Sequence, residues 1–466
     1  MSAQVAHNKN RLKIQLKSER AQPRLWSRIA LCCILLFFIN GCASYGIVRN
    51  KPKNDTDTVI PYSVKTWATS EQAEDFIFLL AFSGGGTRAA AMSYGVLQEL
   101  RDTSIVIDGQ QERLLDQVTH ISSVSGGSFA AAYYGLYGDK MFDTFEREFL
   151  RKDIEGDLTL SLFRPIHWFG SKGRTERAID YYNDVLFHDA IFADMIQPNR
   201  PMIIINASDL AYGVRFSFIQ DYFNLLCSDL SSFPVARAVA ASSAVPVIFN
   251  PVVIENYEGC NGIELHPYTT ALAKQNEEYS QILAGLQSYN DKENRKYIHF
   301  VDGGITDNMG LRAITDVMAI SGGPSAMINK MHRKIPRHVV LLSVNASTEH
   351  KSDMDKTTEQ PSMLDAMNAV TDVQLHRYNA ATVDKVKKSL TTWTARMSTP
   401  EHPVTTNFIQ ISFADTPQPQ LKLFLNKIPT SFSLTNEQVD ILIASARSML
   451  RANPEFQQLL ADLTKP

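Results

Sequence analysis

Three short stretches of the sequence contain residues that could together carry out acyl transfer. Ser125 lies in "SVSGG", Asp302 lies in "VDGG", and Gly84, Gly85 and Gly86 form the glycine run of "SGGGTR". A serine hydroxyl becomes a nucleophile when a neighbouring base accepts its proton, and an aspartate can be that base. Glycine N–H groups at the start of a helix can hold a developing oxyanion. These residues are therefore candidates for a nucleophile, a base and an oxyanion hole.

Each stretch taken alone has a simpler interpretation. The pattern S-x-S-x-G has Ser123 in place of the first glycine of the G-x-S-x-G elbow, and by itself it is more typical of a turn. A glycine run also suits a tight structural turn, and Asp-Gly-Gly forms turns through local hydrogen bonds. Phosphate-loop and dinucleotide-binding patterns are absent because the glycine spacing fits neither. What favours catalysis is the order of the three stretches, each directly after an apolar segment.

Those apolar segments predict the strands that would position the site. They lie at 75–83, 119–124, 201–210, 296–304, 337–345 and 407–413, with helical patterns between them. Alternation of strands and helices predicts an α/β fold with a mostly parallel central sheet flanked by helices. The stretch 267–296 is predicted to be a helical insertion, and 347–362 an exposed loop. The pattern gives no boundary for a second domain.

The order of these motifs resembles that of the patatin-like phospholipase family. The resemblance covers about residues 75–314 and includes "INASDLAYG" and "ASSAVPVIF" besides the three stretches above. It implies a single patatin-like domain and hydrolysis of lipid esters by a Ser–Asp dyad, without histidine, metal or cofactor. Carried over, Ser125 is the nucleophile, Asp302 is the base and Gly84–Gly86 form the oxyanion hole. Arg88 corresponds to the family's arginine and would either contact substrate phosphate or brace the glycine loop.

Two other functions remain open at this stage. A conventional α/β-hydrolase triad would need a histidine after Asp302, and the sequence offers His338, His350, His376 and His402. A non-catalytic envelope lipoprotein could also use the fold as a scaffold. The intact serine, aspartate and glycine run favour the enzyme, of phospholipase A or lysophospholipase type.

The N-terminus has the layout of an export signal. Seven Lys and Arg residues precede the apolar run 29–39, and the run ends in Ile39-Asn40-Gly41-Cys42, which resembles a bacterial lipobox. This predicts a signal peptide at 1–41, lipidation of Cys42, a tether at 42–74 and a hydrolase domain at 75–460. Ala43 in place of Asp favours the outer membrane of the bacterial cell envelope. An uncleaved signal anchor is the alternative.

Charge and cysteine content limit the partners. Removal of residues 1–41 takes away seven of the 46 Lys and Arg residues but only one of the 49 Asp and Glu residues, leaving an anionic body. Such a body argues against nucleic acid and against electrostatic docking on anionic lipid. Contact with the membrane and its lipid substrate would therefore depend on the anchor. Cys227 and Cys260 are either a disulfide or two free thiols, and no Cys/His spacing indicates a metal site.

Overall fold

The computed structural model describes residues 46–54, 60–68, 76–107, 109–157, 173–246, 248–260, 267–330, 333–349, 356 and 358–463. The strands, in chain order, are β1 (Lys51–Pro52), β2 (Phe76–Phe82), β3 (Ser104–Ile107), β4 (Gln110–Arg113), β5 (Val118–Val124), β6 (Met202–Asp209), β7 (Arg215–Ser217), β8 (Ser228–Asp229), β9 (Val252–Glu255), β10 (Tyr297–Asp302), β11 (His338–Asn345) and β12 (Thr405–Ser412). The predicted signal peptide and Cys42 lie outside the described residues.

The helices include those that follow the predicted strands and those of the predicted insertion. They are α1 (Val64–Ala68), α2 (Gly86–Asp102), α3 (Gly126–Tyr137), α4 (Met141–Phe145), α5 (Arg174–Tyr182), α6 (Gln220–Phe223), α7 (Val235–Ser242), α8 (Pro267–Gln275), α9 (Glu277–Gln287), α10 (Gly304–Asp307), α11 (Arg312–Ile320), α12 (Pro324–Lys330), α13 (Met363–Met397), α14 (Pro419–Lys427), α15 (Asn436–Ala452) and α16 (Pro454–Leu463). Among the residues described, no helix combines the length and apolar character needed to cross a membrane.

An eight-stranded sheet forms the centre of the fold, in the order β12-β11-β2-β5-β6-β10-β9, with β7 also paired to β6. The five strands from β12 to β6 are parallel to their neighbours. Strands β7, β9 and β10 pair in antiparallel fashion. The central strands β2 and β11 are apolar along almost their whole length, as expected where helices cover both faces of the sheet. The predicted α/β class with a mostly parallel sheet is therefore confirmed.

The N-terminal segment packs on the body instead of forming a free tether. Asn50 is buried, and its side chain donates to the Glu255 carbonyl at 2.8 Å and accepts from the Glu255 N–H at 3.0 Å. It thereby covers the open edge of β9. Tyr62 and Trp67 are buried as well. The prediction that 42–74 is a tether is thus wrong for residues 46–54 and 60–68, because two aromatic side chains and one asparagine outweigh the polar composition around them.

The two cysteines of the body form a disulfide, one of the two states that the sequence allows. Cys227 and Cys260 are bonded, with their Cα atoms 5.4 Å apart. Cys227 precedes β8, and Cys260 lies in the loop after β9. The bond therefore ties together two surface loops beside the segment that contains β1, which pairs with β8. A covalent link of this kind limits the freedom of both loops in the unfolded chain.

Tyr62 provides a direct test of the packed N-terminal segment. Its hydroxyl donates to the Ile203 carbonyl at 2.9 Å and accepts from the Ile203 N–H at 2.7 Å. Replacement of Tyr62 by Phe leaves both buried backbone groups without this partner, so we expect the free energy of unfolding to fall by about 1–3 kcal/mol. Urea denaturation measures the change. The matched control Tyr297→Phe alters an exposed tyrosine, and an equal loss in both variants would contradict the packing.

Candidate active site

The nucleophile elbow lies between β5 and α3, with Ser125 at its apex. Ser125 has φ 49° and ψ −121°, a conformation that non-glycine residues rarely adopt. The elbow packs directly on the glycine loop, since a Cβ atom on Gly126 would lie 2.0 Å from the Gly86 carbonyl oxygen. Glycine is therefore required after Ser125. Ser123 is still within β5, where its hydroxyl donates to the Ile204 carbonyl, so the strand accommodates this small side chain in place of glycine.

Ser125 and Asp302 are in direct contact. The Ser125 Oγ donates to Asp302 Oδ2 at 2.8 Å, and the Gly304 N–H donates to Asp302 Oδ1 at 2.7 Å. Both side chains are buried, with 7% of Ser125 and 8% of Asp302 exposed. One carboxylate oxygen is thus fixed by the backbone while the other faces the serine hydroxyl, which is the arrangement that a general base requires.

Burial changes the protonation equilibrium of Asp302. It raises the pKa of the carboxyl group to about 6, while the hydrogen bonds from the Gly304 N–H and the Ser125 hydroxyl lower it by less. The carboxylate is therefore ionised at neutral pH but is a stronger base than an exposed aspartate. A base whose pKa lies near the working pH transfers protons most effectively.

The strand that ends in Asp302 runs in a direction that the sequence did not predict. The sequence predicts a mostly parallel sheet, but β10 runs antiparallel to β6. Its last residue, Asp302, pairs with Ala207, and the adjacent Asn206 pairs with Val124 at the end of β5. The two catalytic candidates therefore lie at the ends of strands that are separated by β6 and run in opposite directions. They meet because both strands end at the same level of β6.

The glycine loop provides fewer oxyanion donors than predicted. A Cβ atom on Gly84 would lie 3.3 Å from the Ser125 Cβ, so the loop adjoins the nucleophile. The Gly84 N–H, however, already donates to the Asn308 carbonyl at 2.9 Å. Gly85 is the N-cap of α2 and Gly86 is its first residue, and no acceptor for either N–H group is found among the described residues. The predicted oxyanion hole thus narrows to Gly85 and Gly86.

Arg88 supports the loop and is not placed to bind substrate. Its side chain is 4% exposed, so the predicted substrate-binding role is wrong. The guanidinium donates to the Ala346 carbonyl at 2.9 Å, the Ile428 carbonyl at 2.5 Å and the Thr430 hydroxyl at 3.0 Å. Three acceptors from the C-terminal part of the chain thus hold the first turn of α2. Of the two roles that the resemblance suggests for Arg88, the structure therefore supports bracing of the glycine loop.

The same C-terminal segment fixes the backbone of the loop. The Thr87 N–H donates to the Ser431 carbonyl at 2.9 Å. Gly86 has φ 60°, and a Cβ atom there would lie 2.5 Å from the Ser431 carbonyl oxygen. Only glycine allows both this conformation and this close approach. Residues beyond 314, which carry little of the motif pattern, therefore help to shape the site.

The histidines of the triad alternative contact other groups. His338 Nδ1 lies 2.8 Å from the Thr405 hydroxyl, and His402 Nε2 lies 2.8 Å from the Ile335 carbonyl. His376 lies within α13, and His350 is outside the described residues. In the part of the chain that the structure describes, no histidine hydrogen-bonds to Ser125 or Asp302, and no group of three or more His, Cys, Asp or Glu side chains could hold a metal ion.

Three residues around the dyad, Asn206, Ser242 and Asn308, were not predicted from the sequence. Ser242 accepts a hydrogen bond from the Ser125 N–H at 2.9 Å and donates to the Asn206 carbonyl at 2.6 Å. Asn308 accepts from Gly84 through its carbonyl, and its side chain donates to the Ser347 hydroxyl at 3.1 Å. These residues lie in "INASDL", "ASSAVP" and "DGGITDNMG", which resemble segments of the family. The resemblance indicated that the segments matter but did not predict the individual contacts.

Among solved structures, a human GIVD cytosolic phospholipase A2 is 12% identical with a TM-score of 0.40, covering 86% of this chain and 62% of that chain. VipD from Legionella pneumophila is 14% identical with a TM-score of 0.31, covering 84% of this chain and 67% of that chain. The present chain thus spans less than two thirds of the human enzyme. No curated protein matches. The Patatin-like phospholipase model matches residues 80–314, just over half of the chain, and the protein therefore belongs to the patatin-like phospholipase family.

Proposed function

We propose that this protein is a lipid acyl hydrolase with Ser125 as nucleophile and Asp302 as general base. The observation that carries the proposal is the buried 2.8 Å hydrogen bond between the Ser125 Oγ and Asp302 Oδ2, formed at a strained elbow beside the glycine loop. Membership of a family that acts on lipids supports a lipid ester as substrate. We propose phospholipase A or lysophospholipase action as the reaction type.

The proposed reaction has two steps. Asp302 accepts the Ser125 proton as the Oγ attacks the ester carbonyl, and the N–H groups of Gly85 and Gly86 stabilise the resulting oxyanion. The ester C–O bond breaks, the proton passes from Asp302 to the leaving alkoxide, and an acyl-serine remains. Asp302 next accepts a proton from water, whose oxygen attacks the acyl carbon. The serine leaves with the proton, and a free fatty acid is released.

We further propose that a lipid on Cys42 holds the protein at the membrane of the bacterial cell envelope, with the outer membrane favoured. The lipobox-like sequence 39–42 supports this, and Ala43 lacks the charge of an inner-membrane signal. Gly46 packs against Val253, so only residues 43–45 would separate the lipid from the folded body. Such a short link would keep the enzyme close to its lipid substrate.

Removal of the nucleophile tests the enzymatic proposal. We expect Ser125→Ala to lower fatty-acid release from phospholipid and lysophospholipid vesicles by at least about 10³-fold, because no other group forms the acyl-enzyme. Mass spectrometry of the lipids measures the products. Ser123→Ala is the matched control, since it removes a buried hydroxyl two residues away that bonds only to the Ile204 carbonyl. Equal product from wild type and Ser125→Ala would rule out the mechanism.

Replacement of Cys42 tests the anchor. We expect Cys42→Ala to lose incorporation of a labelled fatty acid in a bacterial host that processes lipoproteins, because no thiol is left to carry the lipid. Fluorography of the immunoprecipitated protein measures the label, and Cys32→Ala, within the apolar run, serves as control. A wild-type protein that stays in the membrane fraction without taking up label would favour the uncleaved signal anchor.

A further inference from the structure

Ser242, the last residue of α7, lies between the two halves of the dyad. Its side chain is fully buried. Ser125 follows β5 and Asp302 is the last residue of β10, and these strands are not paired with each other because β6 lies between them. Strand pairing alone therefore does not set the distance between the serine and the aspartate. A group that is hydrogen-bonded near the ends of β5, β6 and β10 could set this distance.

The Ser242 hydroxyl joins the elbow to β6. It accepts from the Ser125 N–H at 2.9 Å and lies 2.6 Å from the Asn206 carbonyl, to which its single proton is donated. The Ser128 hydroxyl, 3.0 Å away, is therefore the donor in its contact with Ser242. The Ser242 oxygen thus receives two hydrogen bonds and donates one, and every contact holds the start of α3 against β6.

The backbone of the same segment holds the aspartate loop. The Ser242 carbonyl accepts from the Gly303 N–H at 3.0 Å, and the Ala244 carbonyl accepts from the Asp302 N–H at 3.0 Å. Ser242 consequently contacts the residue that carries the nucleophile and the residue next to the base. Its neighbour Ser243 is equally deep in the fold, but its hydroxyl bonds only to the Val239 and Ala240 carbonyls of its own helix.

We propose that Ser242 is a positioning residue that sets the geometry of the Ser125–Asp302 pair, an inference that rests on the proposed function. The strained φ of 49° at Ser125 needs support from its surroundings. The hydrogen bond from the Ser125 N–H to the Ser242 hydroxyl supplies that support on the main chain of the nucleophile itself. Without it, the elbow relaxes and the Ser125 hydroxyl moves away from the carboxylate.

The test compares Ser242→Ala with Ser243→Ala in the full chain on phospholipid vesicles. We expect kcat of Ser242→Ala to fall by about 10²-fold at unchanged KM, the effect of a displacement of about 1 Å. The acidic limb of its pH profile should also move to higher pH, because the Ser125 hydrogen bond lowers the pKa of Asp302 and would be weakened. Ser243→Ala should keep the kcat, KM and pH profile of wild type.

A structural effect and a positioning effect give different results in this comparison. Urea denaturation checks that each variant is folded, and Ser242→Cys, whose thiol is larger than the hydroxyl and a weaker acceptor, replaces Ser242→Ala if alanine prevents folding. Wild-type kcat in either folded Ser242 variant, an unmoved acidic limb, or an equal loss in Ser243→Ala would overturn the inference. A wild-type enzyme that releases no fatty acid would overturn the proposed function as well.

Discussion

The hydrogen bond between Ser125 and the buried Asp302 carboxylate is the interaction on which the rest of the site depends. Burial raises the pKa of Asp302 to about 6. The protonated form is therefore favoured by the fold, and this stabilising contribution is full below the ordinary pKa and is lost as the pH rises through about 6. The ionised dyad thus costs the folded state stability at neutral pH. The strained backbone at Ser125 adds to that cost.

Contacts between distant segments of the described chain stabilise the structure around the site. The glycine loop is held by Arg88, which bonds to the Ile428 carbonyl and the Thr430 hydroxyl, and by the Ser431 carbonyl. The open edge of β9 is covered by Asn50. The described segments around Asn50 and around residues 428–431, both outside the motif region, therefore pack on the body of the fold. They complete the sheet edge and fix the glycine loop beside Ser125.

The sequence predicted those features that depend on short-range patterns. The strands, the elbow at Ser125 and the glycine run each follow from neighbouring residues, and their order indicated the family. It did not predict features set by partners far along the chain. The commitment of the Gly84 N–H to Asn308, the support of Arg88 by Ile428 and the packing of Tyr62 on Ile203 all join distant segments. Composition or local spacing contains no signal for such pairings.

The central claim is that Asp302 activates Ser125 directly. The rate at which a fluorophosphonate phosphonylates the protein, with the modified residue identified by mass spectrometry from pH 4 to 9, tests this claim most directly. The account predicts a single adduct on Ser125 that forms faster as the pH rises through about 6, where Asp302 loses its proton. An adduct on another serine, or a rate that does not change across this range, would contradict it.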